Sequence, residues 1–327
     1  TPLTNLYRIE NVGTRPAERI TSNDEERKRQ GFEIQTTFAF DASSYAASMT
    51  VSDDVSDIIT IDYAQGAYIS RINKGLRRRA DKDEIGFFIN PKTGVWVGRP
   101  KEDGSEEERP DQLKQLIVPL VEDRKNAMLV RFDEDWLSDL GQDADKTITT
   151  LQHALARGIE AVFQLEEGEI LVEPTPSRQE RRALLFYEAA EGGAGALGQM
   201  VSEKDSMALV ARKALEIMHF DPASFAAARK DITTLQEIGS ADCVAGCYRC
   251  VLSYFNQPDH EHIERRDEDM QKILLRLAFS QTSDPEETRR LPGAAYEHVS
   301  PPASITSDGL PKPDDDPLEI AGLSLPR

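Results

Sequence analysis

The sequence predicts an α+β protein. A mostly antiparallel β region covers residues 1–140, an α/β region built around a cysteine cluster covers 141–280, and a disordered acidic tail covers 281–327. Three observations predict this. Short runs of alternating apolar residues dominate up to Phe132. Beyond residue 141, apolar residues recur every three or four positions. From Gln281 onward Pro, Asp, Ser and Thr prevail without any apolar period, so too little surface is available for burial.

Ser22-Asn23-Asp24 offers caps for a short polar helix over Glu25 to Gln30, and Gly31 is a natural stop. Phe32, Ile34, Thr36 and Phe38 then alternate with mostly polar residues, as in a half-buried strand. Residues 46–51 and 58–64 are further β-rich runs. Phe87-Phe88-Ile89 and Val95-Trp96-Val97 flank the turn-forming Asn90-Pro91-Lys92-Thr93-Gly94, which predicts a hairpin. Residues 99–111 are charged and turn-rich, and are expected to form a mobile loop. Two strands, Leu116–Val121 and Ala127–Phe132, are expected on either side of a charged turn at Glu122–Asn126.

In the second half Thr147 is positioned to cap a helix that places Ile148, Leu151, Leu155, Ile159 and Val162 on one face. Strands are expected at Ile170–Glu173 and Ala183–Tyr187, broken apart by Pro174-Thr175-Pro176. Met207, Val210, Ala211, Ala214 and Met218 mark a second helix, and Met270, Ile273, Leu274 and Leu277 a last one from about Asp267 to Phe279. These stripes read as core.

The 58 Asp and Glu outnumber the 39 Lys and Arg, a formal charge of −19. Such a surface repels phosphates, which argues against free-standing, sequence-independent DNA binding. Any nucleic-acid contact is therefore local. The candidate is Arg71, Lys74, Arg77, Arg78, Arg79 and Lys82, opposed only by Asp81; a solvated loop, or a face pairing with acids of this chain, competes with that reading. No apolar run of about 18 residues predicts a membrane span. The chain opens at Thr1 without Met or a basic-then-apolar leader, and reads as a piece of something larger in a reducing cytoplasm.

All three cysteines fall in Cys243-Val244-Ala245-Gly246-Cys247-Tyr248-Arg249-Cys250, a C-x3-C-x2-C spacing. Thiolates this close can converge on one tetrahedral metal, and the C-x2-C half is the usual zinc-knuckle turn; thiols of no consequence and a disulfide are the competing readings. Zinc wants a fourth ligand. His260, ahead of His262, follows the knuckle at a Cys-His spacing; Asp242 or a water would serve instead. His153 reads as a packing residue and His219 as a cationic helix end. Gly193-Ala194-Gly195-Ala196-Leu197-Gly198 matches the dinucleotide pattern G-x-G-x-x-G, but no second parallel strand ending in an acid follows, so a tight strand-to-helix turn is expected. The carboxylates Glu166, Glu167, Glu169, Glu173 and Glu188 show no catalytic spacing.

The order Glu188-x3-Gly192-Gly193-Ala194-Gly195, a helix, then Cys243-x2-Gly246-Cys247-x2-Cys250 resembles the MZB domain, the zinc-binding C-terminal module of bacterial and archaeal superfamily 2 DEAD/DEAH-box helicases. That family's cluster usually reads C-x-C-x2-G-C-x2-C; its first cysteine falls here on Ala241. The continuation from Val251 through Ser253-Tyr254-Phe255-Asn256-Gln257-Pro258-Asp259-His260 to Glu264-Arg265-Arg266 is similar to the C-terminal part of large phage-defence helicases. So are Tyr7-Arg8-Ile9-Glu10, Arg19-Ile20-Thr21-Ser22 and Arg71-Ile72-Asn73-Lys74-Gly75, with the DISARM helicase subunit foremost.

The resemblance implies a noncatalytic accessory region with structural zinc, and ATP confined to motor lobes outside these residues. The implied partners are those lobes, DNA through the local basic patch, and other defence subunits, with no membrane. An independent metal-dependent nuclease and a protein-docking module are the competing functions.

Overall fold

The structure is a computed structural model that describes residues 6–8, 31–40, 46–76, 79, 83–98, 113–178, 180–190, 193–239, 243–284 and 286–287. The expected helix at Glu25–Gln30, the loop 99–111 and the tail from residue 288 onward lie outside them. The described residues divide into two compact units, those up to residue 37 and between 70 and 122 in one, and those between 38 and 69 and from 123 onward in the other.

The strands in order are β1 (Leu6–Arg8), β2 (Phe32–Ala39), β3 (Ala46–Ser52), β4 (Asp57–Leu76), β5 (Phe87–Ile89) and β6 (Gln115–Phe132). In the smaller unit β5 runs antiparallel to β6, with Phe87 opposite Ile117, and β1 runs parallel to β6, with Leu6 opposite Val118. The predicted hairpin is present. The Asn90 carboxamide accepts from the Lys92 amide at 2.9 Å, an Asx turn that reverses the chain, and Trp96 pairs back onto Ile89. The Phe87 ring lies 5.9 Å from Phe32 and 4.9 Å from Trp96, both edge-on.

The larger unit continues with α1 (Glu134–Leu140), α2 (Ala144–Val162), β7 (Ile170–Ser177), β8 (Glu180–Glu188), α3 (Ala196–Ser202), α4 (Ser206–Ile217), α5 (Phe225–Ala228), α6 (Glu268–Leu277), β9 (Gln281–Thr282) and β10 (Glu286–Glu287). Its sheet runs β10-β3-β4-β6-β8-β7. The described registers pair β3 with β4, β6 with β8 and β7 with β8, all antiparallel. Side-chain alternation sorts each strand onto two faces. Met49, Ile59, Ile61, Met128, Val130, Leu184 and Phe186 share one core with the stripes of α2, α4 and α6. Ala46, Ala64, Ala127, Leu185 and Tyr187 pack with Phe38 and Phe40 in another. At about 25 cal/mol per Å2, these burials are the main stabilising term.

Four local expectations are corrected. β6 is one strand of 18 residues with no turn at Glu122–Asn126. That stretch holds charges but no Gly or Pro, and charge alone does not break a strand. Lys125 and Asn126 are buried, with Lys125 Nζ donating to the Ala189 carbonyl at 2.5 Å. β7 continues through Pro174 and Pro176, with a register shift against β8 between Thr175 and Pro176, because it is the last strand of the sheet and an edge tolerates missing donors. Thr147 lies within α2, where its hydroxyl donates to Asp267 at 2.8 Å. Asp267 in turn caps α6 by accepting from the Met270 amide. The start of the expected tail adds β9 and β10 to β3, with Thr282 buried.

Candidate metal centre

α4 buries Met207, Val210, Ala211 and Ala214 and ends in a Schellman motif: the Phe220 amide donates to Leu215 and the His219 amide to Glu216. The residue at the left-handed position of that motif is normally glycine. Here it is His219, with φ 70°. A non-glycine residue there costs on the order of 1 kcal/mol. The turn directs the imidazole toward the cysteine loop, where Nε2 lies 3.3 Å from Cys247 Sγ.

The loop itself is a knuckle. The Cys250 amide donates to the Cys247 carbonyl at 2.9 Å, and the Cys247 amide reaches Cys250 Sγ at 3.0 Å. Cys243 and Cys250 are buried, with sulfurs 3.7 Å apart. The donor atoms of His219, Cys243, Cys247 and Cys250 all lie within 4.8 Å of one another. Two sulfurs sharing a tetrahedral zinc at 2.3 Å would stand about 3.8 Å apart, so the geometry and the one-nitrogen, three-sulfur chemistry both fit zinc.

Electrostatics separate the three thiols. Burial pushes Cys243 up to about 12, reinforced by its hydrogen bond with Cys247 and by Cys250. Burial opposes ionisation of Cys247 too, yet hydrogen bonds from His219 and the Arg249 amide bring it down to about 6. Cys247 is therefore the first to present a thiolate, the form that ligates metal.

The structure does not bring His260 to this cluster. Its Nε2 lies 2.9 Å from Asn256 Oδ1 and 3.1 Å from the Ser253 carbonyl, and its ring packs edge-on against Tyr248. Asn256 closes the same turn by donating to the Val251 carbonyl and accepting from the Ser253 amide. Ala241 and Asp242 lie outside the described residues. His219 is the residue that sequence reasoning missed. Its one signal is the place just past an apolar stripe, where a glycine stop would be ordinary.

A clasp fixes the chain beyond the knuckle. Asp259, buried, receives His153 Nε2 at 3.0 Å, Arg181 at 3.2 Å and Arg178 at 3.3 Å. His153 is thus a buried hydrogen-bonding residue of α2.

The glycine motif is consumed by packing. A Cβ on Gly193 would collide with the Glu188 carboxylate, and one on Gly198 would stand 2.9 Å from the Tyr63 hydroxyl. Where a dinucleotide fold would seat a phosphate, the buried Glu188 side chain accepts from the amides of Leu197 at 2.9 Å and Gly195 at 3.2 Å. Asn126 donates to the same carboxylate at 2.9 Å.

Of the basic candidates, Arg71 and Lys74 lie on β4, and Arg79 donates to Glu33 at 2.6 Å with Lys74 at 4.0 Å from the same carboxylate. Arg77 and Arg78 lie outside the described residues. Among the described residues the cysteine–histidine cluster is the one group of three or more metal-capable side chains; Glu166, Glu167, Glu169 and Glu173 form none. Nor is any described helix long and apolar enough to cross a membrane.

Comparison with known proteins gives a zinc-binding family over this region. Residues 151–251 match the MZB family, described as the MrfA Zn-binding domain. The matched stretch contains all four clustered donors and stops short of His260. Among solved structures, the chain is similar to the DUF1998 helicase MrfA bound to DNA, at 14% identity and a TM-score of 0.33. That alignment covers 72% of this chain and 26% of the helicase, so the chain spans about a quarter of it. Comparison with curated proteins gives no match. The cofactor of this region is a structural zinc.

Proposed function

We propose that this chain is the zinc-stabilised, noncatalytic accessory region of an ATP-dependent DNA helicase or translocase. One observation carries the reading: four donors fit for zinc, His219, Cys243, Cys247 and Cys250, converge inside the stretch that matches a helicase-associated Zn-binding family. These four hold the metal, with His219 in place of the histidine expected at 260. Bound zinc supplies folding free energy by tying the end of α4 to the cysteine loop. All four ligand positions are protein side chains, which leaves none open for a reacting water, as in structural rather than catalytic zinc sites.

ATP chemistry then belongs to motor lobes of the parent helicase, which this region braces. Arg71, Lys74 and Arg79, with Arg77 and Arg78, supply a local contact to DNA phosphates that the acidic remainder of the surface would repel. The setting is a cytoplasmic anti-phage defence complex. The test is metal analysis of the purified chain together with assays of ATP hydrolysis and of DNA cleavage in Mg2+ or Mn2+. About one zinc per chain and no turnover is expected. ATP hydrolysis or DNA cleavage by the chain alone would overturn it.

A further inference from the structure

Beyond the four donors stands a residue whose side-chain hydrogen bonds go largely to the segments that carry them. Arg265 is fully buried. Its Nε and Nη2 donate to the Cys243 carbonyl at 2.9 and 2.5 Å, and Nη1 donates to the Met218 carbonyl at 3.3 Å. Met218 immediately precedes His219. One guanidinium therefore bridges the backbone of the two segments that carry the donors, at Met218 beside His219 and at Cys243, the first of the three cysteines. The Arg265 amide adds a third tie, to the Ala245 carbonyl inside the loop at 2.8 Å.

The charge of Arg265 also has its partners. Nη2 meets the Glu237 carboxylate at 2.6 Å, and Arg266 meets the other oxygen at 2.8 Å. Those hydrogen bonds, Arg266 first and Arg265 second, hold Glu237 down to about 2. Phe220, the residue after His219, puts its ring 5.5 Å from the guanidinium. Three thiolates and a neutral imidazole around a divalent zinc leave one net negative charge. A buried arginine needs a nearby anion, and a buried anionic metal site needs a nearby cation.

We infer that Arg265 is a positioning residue for the metal: it holds the His219 and cysteine segments in register and counter-charges the thiolate site, raising zinc affinity. The inference rests on the zinc reading above. Lysine at this position keeps the charge but, as a compact point donor, cannot span Cys243, Met218 and Glu237 together. Outer partners of this kind are worth roughly 10–100-fold in metal affinity.

The test uses the full chain with Arg265→Gln, Arg265→Lys and, as control, Arg276→Gln. Arg276 makes a two-pronged bond to Asp53 at 3.0 and 3.0 Å, away from the cluster, so its loss lowers stability without touching the metal. Zinc affinity is read by competition with a chromophoric chelator, and the ligand set by the visible bands of bound Co2+. Arg265→Gln should bind zinc roughly 10–100-fold more weakly, Arg265→Lys should fall between it and the parent, and both should shift the Co2+ bands. Arg276→Gln should lower Tm with affinity and bands unchanged. If Arg265→Gln fails to fold, Arg265→Lys decides alone, by weakening affinity and moving the bands. Affinities within twofold of the parent for the folded Arg265 variants, or an equal loss in Arg276→Gln, overturn the inference. A parent chain that binds no zinc overturns the zinc reading itself.

Discussion

His219 and Cys247 meet across 28 residues, imidazole nitrogen to sulfur at 3.3 Å, from a backbone conformation that histidine rarely adopts. Strain held at one residue beside a donor cluster is the mark of a conformation selected for its side chain. The same histidine explains how a C-x3-C-x2-C sequence completes a four-ligand site without a fourth thiol.

Replacing His219 therefore separates backbone from ligand. His219→Gly relieves the left-handed strain, about 1 kcal/mol in favour of the fold, and removes a donor. Zinc should bind more weakly by at least the roughly 10–100-fold that losing even an outer partner costs. His260→Ala should keep one zinc per chain, because Asn256 and Ser253 are its partners. Metal analysis after dialysis against a weak chelator checks both. Full zinc retention by His219→Gly with loss from His260→Ala would reverse the assignment.

The same residues show how much of the site is legible in the sequence. Helical stripes such as Ile148-Leu151-Leu155-Ile159 and Met270-Ile273-Leu274-Leu277 are readable because burial on one face imposes a period, and all eight are buried. The cysteine cluster is readable because its members are close in sequence. His219 is not, since it reaches the loop only through a turn whose usual sequence signal is glycine. The prolines of β7 mislead because a break is local in sequence, whereas an edge position is set by the order of strands in the finished sheet. Strands before residue 141 and helices after it also share one core, a pairing no local pattern encodes.

Glu188 gives a second prediction. Its carboxylate takes the place of a bound phosphate at the start of α3, so the loop should bind no dinucleotide in a calorimetric titration. Gly193→Ala would force a side chain into that carboxylate and adds strain at φ 61°. The expected cost is about 2 kcal/mol or more, seen as a lower denaturation midpoint. Glu188→Gln keeps the acceptor oxygen facing Leu197 and should cost less, near ~1 kcal/mol. Equal stability of Gly193→Ala and the parent would refute the packing account.

The basic strand offers a third. Arg71→Ala with Lys74→Ala should weaken binding to a short oligonucleotide and reduce the slope of log affinity against log salt by about 1 for each phosphate that is no longer neutralised. Glu33 competes for Arg79 and Lys74, so Glu33→Gln should tighten binding. Fluorescence anisotropy across a salt series reads both signs. An unchanged slope in the double variant would show that phosphate does not meet this strand.

Asp259 supplies the pH dependence. Burial alone would raise its carboxyl, but the hydrogen bond from His153 and the charges of Arg178 and Arg181 outweigh burial and hold it well below the usual carboxylate range. In the unfolded chain it titrates near ~3.9. As pH falls, the unfolded state takes up the proton first, so the stability from this clasp is fully present above about pH 5 and declines as pH drops below about 4. Asp259→Asn leaves the buried Arg181 and its neighbour Arg178 short of a counter-charge and should cost about 3 kcal/mol at neutral pH, a Tm lower by roughly 6–10 °C. It should also flatten the acid limb of the stability profile between about pH 4 and 2, while the zinc count at neutral pH stays at one. Thermal melts of the parent and variant from about pH 2 to 7 decide the point: parallel acid limbs would show that another carboxylate carries the transition.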